Sequence, residues 1–323
     1  MKSFPGSHNS RLLISLGKAR PLTNVGDPHD AKALKIAANP ENMSHCPGGS
    51  CLSETGASNS ANNAFTAGQF FFPGLAFLLI LPLNAEKQTM QTQTILLPVA
   101  GAGSMNAYTV RPDGKGSFPA VMVFQEAFGV NHHIRSVTEK IAAQGYLAIA
   151  PELFHRTAPA GFEGSYSDFP SVMPHIQALT ADGLSADVEA VYRWLQQQDD
   201  VSKNKIGCVG FCMGGRVSVL ANAVLPLAAS VSYYGGNMPS LLDKIKDLHA
   251  PQLLFWGGLD KHILPEHIDA VVRALKEAGK PYINVVISYA DHAFNCDERP
   301  NYHPRAAKEA WGMTLAFLAN NLQ

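Results

Sequence analysis

The chain has 323 residues, of which 46% are hydrophobic and 16% charged, so it can bury a full core in about one or two domains. A formal net charge of −1 and a pI near 6.9 exclude the strongly basic surface typical of proteins that bind nucleic acid or anionic membranes, and we expect neither partner. Five cysteines, an odd number spread from Cys46 to Cys296, do not indicate a disulfide framework, so we expect a cytoplasmic protein.

Residues 1–89 differ in composition from the rest of the chain. They show little periodicity, and Cys46–Asn63 is rich in Gly, Ser and Asn, which predicts a disordered extension. The apolar segment 70–83 has 14 residues, fewer than the roughly 20 that span a bilayer. An organelle-targeting leader is one interpretation. We favour another, in which Met90 is the natural start and the preceding residues are upstream sequence translated in frame.

From Met90 onward the pattern is regular and predicts a single α/β domain over residues 90–323. Two short strands joined by the turn at 101–103 predict an antiparallel start. Strands and helices then alternate, and runs that are apolar on both faces predict a mostly parallel central sheet with helices on both faces. The predicted strands are 92–97, 105–110, 120–124, 146–150 (stopped by Pro151), 205–209, 228–234, 252–256 and 282–287, and the predicted helices are 133–144, 184–197, 266–278 and 305–321.

Cys212 lies at the turn between a predicted strand and a helix-compatible stretch. In Gly210-Phe-Cys-Met-Gly-Gly215, glycines on both sides permit a turn too sharp for β-carbons, and such a turn presents its central side chain to solvent. A free cysteine is more often a small buried hydrophobe, and this is our interpretation of Cys208 inside the strand. For Cys212 the pattern indicates a nucleophile elbow that carries a thiol.

Asp260 and His292 each follow a predicted strand, at the edge of the sheet where α/β proteins bind ligands. The chain order Cys212, Asp260, His292 is the nucleophile, acid, histidine order of α/β-hydrolases. These residue types predict attack of a thiolate on a carbonyl, with His292 as the base and Asp260 fixing the imidazole tautomer.

The tetrahedral intermediate of such a reaction needs hydrogen-bond donors for its oxyanion. The backbone N–H of Met213, at the start of the helix after the nucleophile, is one expected donor. The backbone N–H of Ala127, in the loop after strand 120–124, is the other. The chemistry requires no metal and no other cofactor.

Two segments carry a resemblance to a known family. Gln125-Glu-Ala-Phe-Gly-Val-Asn131 together with Gly210-Phe-Cys-Met-Gly-Gly215 resembles the dienelactone hydrolases (carboxymethylenebutenolidases), from about Met90 to the C-terminus. The resemblance implies an α/β-hydrolase fold, hydrolysis of an ester or lactone through a cysteinyl acyl-enzyme, and the triad given above. It also implies that Glu126 contacts the resting thiol and shifts on substrate binding to help deprotonate it.

The same resemblance implies two arginines that grip the carboxylate of dienelactone. Arg156 matches the first, and is the expected substrate-binding residue. The second would lie four residues after His292, where this chain has Cys296. A guanidinium binds a carboxylate through two parallel hydrogen bonds, so its loss puts dienelactone itself in doubt unless Arg299 reaches the site.

Several other interpretations concern residues near the predicted site. Cys208, Cys212, His292 and Cys296 could be imagined as zinc ligands, but Cys208 should point away from the elbow. His132-His133 is interpreted as the start of a solvated helix, with a substrate contact left open. Tyr233-Tyr234 at another strand end could line the pocket.

Two alternatives to the dienelactone-like activity follow from the same residues. One is a hydrolase of small esters or thioesters with the same fold. The other, from a different class, is a non-catalytic redox sensor that uses the Cys212 thiol, although Asp260 and His292 at triad positions argue against it. We expect a monomer that acts on a small-molecule ester or lactone.

Overall fold

The computed structural model describes residues 89–323. The predicted extension up to residue 88, with its apolar segment 70–83, lies outside the described residues. The eight strands are Met90–Val99 (β1), Gly103–Pro112 (β2), Phe118–Phe124 (β3), Leu147–Pro151 (β4), Val201–Phe211 (β5), Ala229–Tyr233 (β6), Gln252–Gly257 (β7) and Tyr282–Ile287 (β8). The six helices are His132–Ala142 (α1), Phe169–Gln177 (α2), Ala181–Gln197 (α3), Met213–Val224 (α4), Pro265–Glu277 (α5) and Pro304–Leu322 (α6).

All eight strands form one sheet in the order β1-β2-β4-β3-β5-β6-β7-β8. The β1–β2 and β2–β4 pairs are antiparallel, and every other pair is parallel. The parallel strands β3 and β4 are buried almost throughout, as expected for a sheet covered on both faces. The predicted α/β class, the antiparallel start and the mostly parallel sheet are confirmed.

Helices α4 and α6 cover opposite faces of the centre of the sheet. On β5, the Cys208 thiol donates a hydrogen bond to the Ser218 carbonyl of α4, at 3.6 Å. The preceding residue of the strand, Gly207, faces Leu322 of α6 instead. Because neighbouring residues of a strand point to opposite faces, the two helices lie on opposite sides. Within residues 89–323 no helix has both the length and the apolar character of a membrane span.

Three local features differ from the sequence prediction. The strand β4 includes Pro151 instead of ending before it, because a proline can be the last residue of a strand. Helix α3 begins at Ala181, three residues earlier than predicted, where the Thr180 hydroxyl accepts a hydrogen bond from the Gly183 N–H. Helix α2, which buries only Val172, and the 3₁₀ segment Met238–Asp247, which buries Met238, Leu241 and Ile245, were not predicted.

The fold brings four predicted site residues to one edge of the sheet. Glu126 follows β3, Cys212 follows β5, Asp260 follows β7 and His292 follows β8. These strands are mutually parallel, so their carboxyl ends lie at the same edge.

Candidate active site

Cys212 occupies a strained turn between β5 and α4. Its backbone has φ 53° and ψ −116°, a conformation that residues other than glycine rarely adopt. A β-carbon on Gly210 would lie 1.8 Å from the Gly214 carbonyl oxygen, so the turn can close only with glycine there. The Cys212 N–H donates a hydrogen bond to the Tyr233 carbonyl at 3.0 Å, which ties the turn to β6. The predicted elbow geometry is therefore present, with a half-buried thiol at its apex.

The side chains of Cys212, His292 and Asp260 form a chain of hydrogen bonds. The His292 Nε2 atom lies 3.2 Å from the Cys212 Sγ atom, and the Nδ1 atom lies 2.7 Å from the Asp260 Oδ2 atom. The other Asp260 oxygen accepts hydrogen bonds from the His262 and Ile263 N–H groups, at 2.7 and 3.2 Å. These contacts orient the carboxylate, which in turn orients the imidazole, in the manner of a nucleophile, base and acid.

The electrostatics of this chain favour a charged imidazole. Burial lowers the pKa of His292, but the charge on Cys212 and the hydrogen bonds to Asp260 and Cys212 outweigh it and raise the pKa to about 10. Burial raises the pKa of Asp260, but the hydrogen bond and charge of His292, with the two backbone donors, leave that pKa below its ordinary value. A protonated His292 between an ionised Asp260 and the Cys212 sulfur places a hydrogen-bond donor and a positive charge beside the nucleophile.

The two predicted oxyanion donors lie in segments that touch. A β-carbon on Gly214 would lie 2.3 Å from the Phe124 carbonyl oxygen and 2.5 Å from that of Gln125, so the start of α4 packs directly against the loop after β3. Within residues 89–323 the buried N–H groups of Met213 and Ala127 have no hydrogen-bond acceptor. Both donors are thus free to bind a developing negative charge.

Glu126 is a buried carboxylate without a hydrogen bond. Only 1% of the residue is exposed, and within residues 89–323 neither carboxylate oxygen has a hydrogen-bond partner. The Arg299 Nη1 atom lies 3.8 Å from its Oε2 atom. Among the described residues, the hydrogen-bond partner of the Cys212 sulfur is His292 and not Glu126, so the role that the family resemblance implied for Glu126 stays a prediction. The sequence left open whether Arg299 reaches the site, and it does so through this contact with Glu126.

Cys296, at the position where a second arginine was expected, belongs to a hydrogen-bonded cluster beside Glu126. Its buried Sγ atom lies 3.4 Å from the Tyr166 hydroxyl, which accepts a hydrogen bond from Asn131 and donates one to Glu298. Burial, with the charge of Glu126 acting in the same direction, raises the pKa of Cys296 to about 12, so it stays a neutral thiol. Cys296 therefore fills space here without supplying the charge that an arginine would.

Arg156 is held by a buried acid on α3. Its Nη1 atom lies 2.8 Å from the Asp187 Oδ2 atom, and its Nη2 atom donates to the Gly183 carbonyl at 3.2 Å. The other Asp187 oxygen contacts His155 Nε2 at 2.9 Å. No contact joins Arg156 to the Cys212–His292–Asp260 chain within residues 89–323. Its role in substrate binding stays a prediction.

The remaining predictions near the site have mixed outcomes. Cys208 is buried against Ser218 and Ser230, as expected. Within residues 89–323 no three His, Cys, Asp or Glu side chains converge as metal ligands, so the set considered for zinc does not come together. The expectation of a solvated helix start was wrong for His133, whose buried ring pairs with Asp297 at 3.2 Å, while His132 is exposed.

Two tyrosines after β6 have different surroundings. The Tyr233 hydroxyl forms a hydrogen bond with the Thr314 hydroxyl of α6 at 2.6 Å, so it points toward α6. The Tyr234 ring lies 5.1 Å from the His292 ring, and its buried hydroxyl has no hydrogen-bond partner within the described chain. Burial raises the pKa of Tyr234, and the charges of Glu126, Cys296 and Cys212 add to this, which places it amid the site. The local sequence does not show which of these two adjacent tyrosines faces the site.

The chain was compared with known proteins. A profile of the dienelactone hydrolase family matches residues 105–322. Proteins named "Putative carboxymethylenebutenolidase" from Salmonella typhimurium (strain LT2) and Escherichia coli (strain K12) are 37% and 38% identical over 226 residues, which cover 67% and 66% of this chain and 82% of each relative. A protein from Bradyrhizobium named "Probable 2-oxo-3-(5-oxofuran-2-ylidene)propanoate lactonase" is 29% identical over 242 residues, 71% of this chain and 96% of its own.

Among solved structures, a crystal structure of a protein from Klebsiella pneumoniae, titled a putative dienelactone hydrolase, superposes with a TM-score of 0.65 at 33% identity. The match covers 72% of this chain and 99% of that one.

Proposed function

Because this chain belongs to the dienelactone hydrolase family and is a carboxylic-ester hydrolase of that type, we propose that it cleaves an ester or lactone through a cysteinyl acyl-enzyme on Cys212. The observation that carries this proposal is the continuous hydrogen-bond chain from the Cys212 sulfur through His292 to Asp260. A thiol on a strained elbow, beside an oriented imidazole, is the arrangement of an activated nucleophile.

In the first half-reaction the Cys212 thiolate attacks the substrate carbonyl carbon, and a carbon–sulfur bond forms. The carbonyl π electrons move to the oxygen, whose negative charge is bound by the Met213 and Ala127 N–H groups. When this intermediate collapses, the carbon–oxygen bond to the leaving group breaks, and His292 Nε2 donates its proton to the departing alkoxide. The acyl group then remains on Cys212 as a thioester.

In the second half-reaction a water molecule attacks the thioester carbonyl. Neutral His292 accepts a proton from this water, and the same two N–H groups bind the new oxyanion. The carbon–sulfur bond breaks, the acid product leaves, and the proton on His292 restores the imidazolium–thiolate pair. Asp260 holds the imidazole in place and stabilises its charged form throughout.

Glu126 is proposed to act on the thiol in a second conformation. In the structure Arg299 holds its buried carboxylate at 3.8 Å, without a hydrogen bond. A buried charge held by one loose ion pair can be displaced more easily than one that is fully hydrogen-bonded. A ligand that competes for Arg299 would free Glu126 to turn toward Cys212.

The substrate class is proposed from the names of the relatives. Carboxymethylenebutenolide and the oxofuranylidene propanoate are lactones that carry a carboxylate. We therefore expect an ester or lactone with a carboxylate near the scissile carbonyl to be the preferred type of substrate.

Replacement of the nucleophile tests the mechanism. Cys212→Ala should lower kcat by about 10⁴-fold or more with an unchanged thermal unfolding curve, because no other nucleophile is aligned with His292. Cys208→Ala is the matched control, since this buried thiol lies under α4 and should leave turnover unchanged. Mass spectrometry of the wild-type enzyme quenched in acid during turnover should find the acyl group on the peptide that contains Cys212.

Other outcomes would change the conclusion. Full activity of the Cys212→Ala variant would end the proposal. Reversible oxidation of Cys212, without hydrolysis across a panel of lactones, oxygen esters and thioesters, would instead indicate a redox sensor. Preference for thioesters across the panel would leave the mechanism intact and identify a thioesterase. The residual activity of Cys212→Ser measures how far the site depends on a thiolate, because a serine hydroxyl does not ionise near neutral pH.

A further inference from the structure

Arg216, one helical turn after Cys212 on α4, differs from the other arginines of the described chain. Eight arginines fall within residues 89–323, and two of them, Arg193 and Arg273, are exposed to solvent. Five pair with acids, namely Arg111, Arg135, Arg156, Arg299 and Arg305. Arg216 is half-buried, yet no carboxylate of the described residues lies within ion-pair distance of it.

An unpaired guanidinium at this depth is costly. Charged groups that leave water without a counter-ion lose much of their solvation energy, so partly buried arginines usually pair with an acid. Burial lowers the pKa of Arg216, while the charge on Cys212 opposes that shift, so the two groups lie within electrostatic range of each other. Arg216 also follows Cys212 by four residues, about one turn of α4, so its charge lies near the end of the helix at which the nucleophile stands.

Arg216 lines a pocket of about 230 Å³ between three elements. Leu184 of α3 and Leu220 of α4 give it an apolar wall, while Thr180 and Ser240 add hydroxyl groups at the rim. Its size suits a small acyl group, because pockets for drug-sized ligands exceed about 300 Å³. The pocket is thus built for a small, partly apolar ligand that meets a single positive charge.

The topology places this pocket at the edge of the sheet that carries Cys212. Helix α4 begins there, and the 3₁₀ segment Met238–Asp247 follows the carboxyl end of β6. Helix α3 leads into the amino end of β5, so its own start lies at the carboxyl edge as well. The positive end of the α3 dipole adds to the field of Arg216. Asp182, in the first turn of α3, does not line the pocket.

We propose that Arg216 binds a carboxylate of the substrate in this pocket while the scissile carbonyl lies at Cys212. This proposal rests on the proposed hydrolytic function and adds the residue that selects an anionic substrate. Arg156 and Arg299 are less suited to the task in this structure, because Asp187 and Glu126 already neutralise them. A guanidinium that is free and half-buried can bind both carboxylate oxygens at once.

A matched pair of esters tests the proposal. The mono-4-nitrophenyl ester of glutaric acid carries a free carboxylate, and 4-nitrophenyl pentanoate has the same five-carbon acyl chain with a methyl group in place of that carboxylate. Arg216→Gln should lower kcat/KM for the anionic ester by about 10- to 100-fold, mainly through KM, and change that for the neutral ester by less than about twofold. Arg216→Lys should recover part of the loss, because it keeps the charge without the planar fork. The exposed Arg273→Gln is the control and should affect neither ester.

Thermal unfolding followed by circular dichroism reports whether each variant is folded. An equal loss with both esters in a folded Arg216→Gln variant would overturn the carboxylate proposal and assign Arg216 to the thiolate instead. Unchanged kinetics with both esters would overturn it as well. If the wild-type enzyme hydrolysed neither ester, the hydrolytic function itself would fail, and the proposal with it. A second readout is competitive inhibition by glutarate against the neutral ester, which should weaken about 10-fold or more in Arg216→Gln only.

Discussion

At the scale of single residues, the site depends on three groups that fix one another's charge. His292 has a raised pKa, so its contribution to folding stability is complete below its ordinary value of 6.5 and is lost as the pH rises through about 10. Asp260 has a lowered pKa, so its contribution is present above its ordinary value of 3.8 and is lost as the pH falls through the lower folded value. Both contributions are therefore complete only between about pH 3.8 and 6.5, and the His292 contribution declines steadily above that range.

This charge state predicts how Cys212 reacts with an alkylating agent. At pH 6 an ordinary thiol with a pKa of about 8.5 is almost entirely protonated and slow to react with iodoacetamide. Because the Cys212 sulfur lies 3.2 Å from His292, whose raised pKa of about 10 keeps it positively charged at pH 6, we predict that Cys212 is alkylated faster at pH 6 than an ordinary thiol. Asp260→Asn should lower this rate about tenfold, because the imidazolium loses its counter-ion. Mass spectrometry of the modified peptides gives both rates, and a wild-type rate at pH 6 no faster than that of an ordinary thiol would contradict the prediction.

The sequence could predict part of this site because each residue stands at a recognisable position. Cys212 is flanked by elbow glycines, and Asp260 and His292 follow buried strands, so chain order and topology suffice to bring them together. The direction in which a side chain points cannot be predicted from the sequence in the same way. The contact between Arg299 and Glu126 spans distant segments, and nothing in the local pattern indicates that Arg216 lacks an acid partner.

At the scale of elements, the elbow joins β5 to α4 through close backbone contacts. Gly210 lies against the Gly214 carbonyl, and Gly214 lies against the last carbonyls of β3. Three of the four non-glycine residues with positive φ in the described chain belong to this region or its neighbours, namely Cys212, Tyr234 and Ala293. Strain concentrated at one edge of the sheet is typical of a functional site that the surrounding core holds in place.

Two glycine-to-alanine substitutions should have opposite effects on stability. In Gly210→Ala the new methyl group would lie 1.8 Å from the Gly214 carbonyl oxygen, so the turn must open at a cost of about 3 kcal/mol or more. In Gly312→Ala, inside α6, the methyl group meets nothing within 4 Å and should stabilise the helix by about 0.5–1 kcal/mol. Urea unfolding measures both changes. A neutral result for Gly210→Ala would show that the elbow relaxes easily.

The helices and strands differ in how closely their sequences predicted their bounds. Strand β8 was predicted with its observed bounds, and α5 and α6 were within one residue at each end, because their apolar periods are strong. Helix α2 has one buried side chain, Val172, and prolines at 170 and 174, so it lacks the apolar face by which a helix is recognised.

At the scale of the whole molecule, the antiparallel strands at the start of the domain close one side of the sheet. Strand β1 pairs with β2 along its full length, and Leu97 and Val99 of β1 are buried in the core. The Thr89 carbonyl accepts a hydrogen bond from the Asp113 N–H at 3.0 Å, one residue before β1 begins. Strand β1 is therefore an integral part of the domain from its first residues, and the boundary expected near residue 90 stays a prediction.

This boundary predicts that a chain of residues 89–323 contains the whole catalytic unit. It should hydrolyse the esters described above with kcat/KM within about twofold of the full chain, because it retains every proposed site residue and all eight strands of the described sheet. A chain starting at Gly101 is the matched control. It lacks β1, loses the burial of Leu97 and Val99 at about 1.5–3 kcal/mol each, and exposes the edge of β2. We expect the shorter chain to aggregate or to unfold at a lower temperature, as measured by light scattering and circular dichroism. If the 89–323 chain itself lost activity while keeping its fold, residues before Thr89 would have to contribute to catalysis, and the domain boundary proposed here would be wrong.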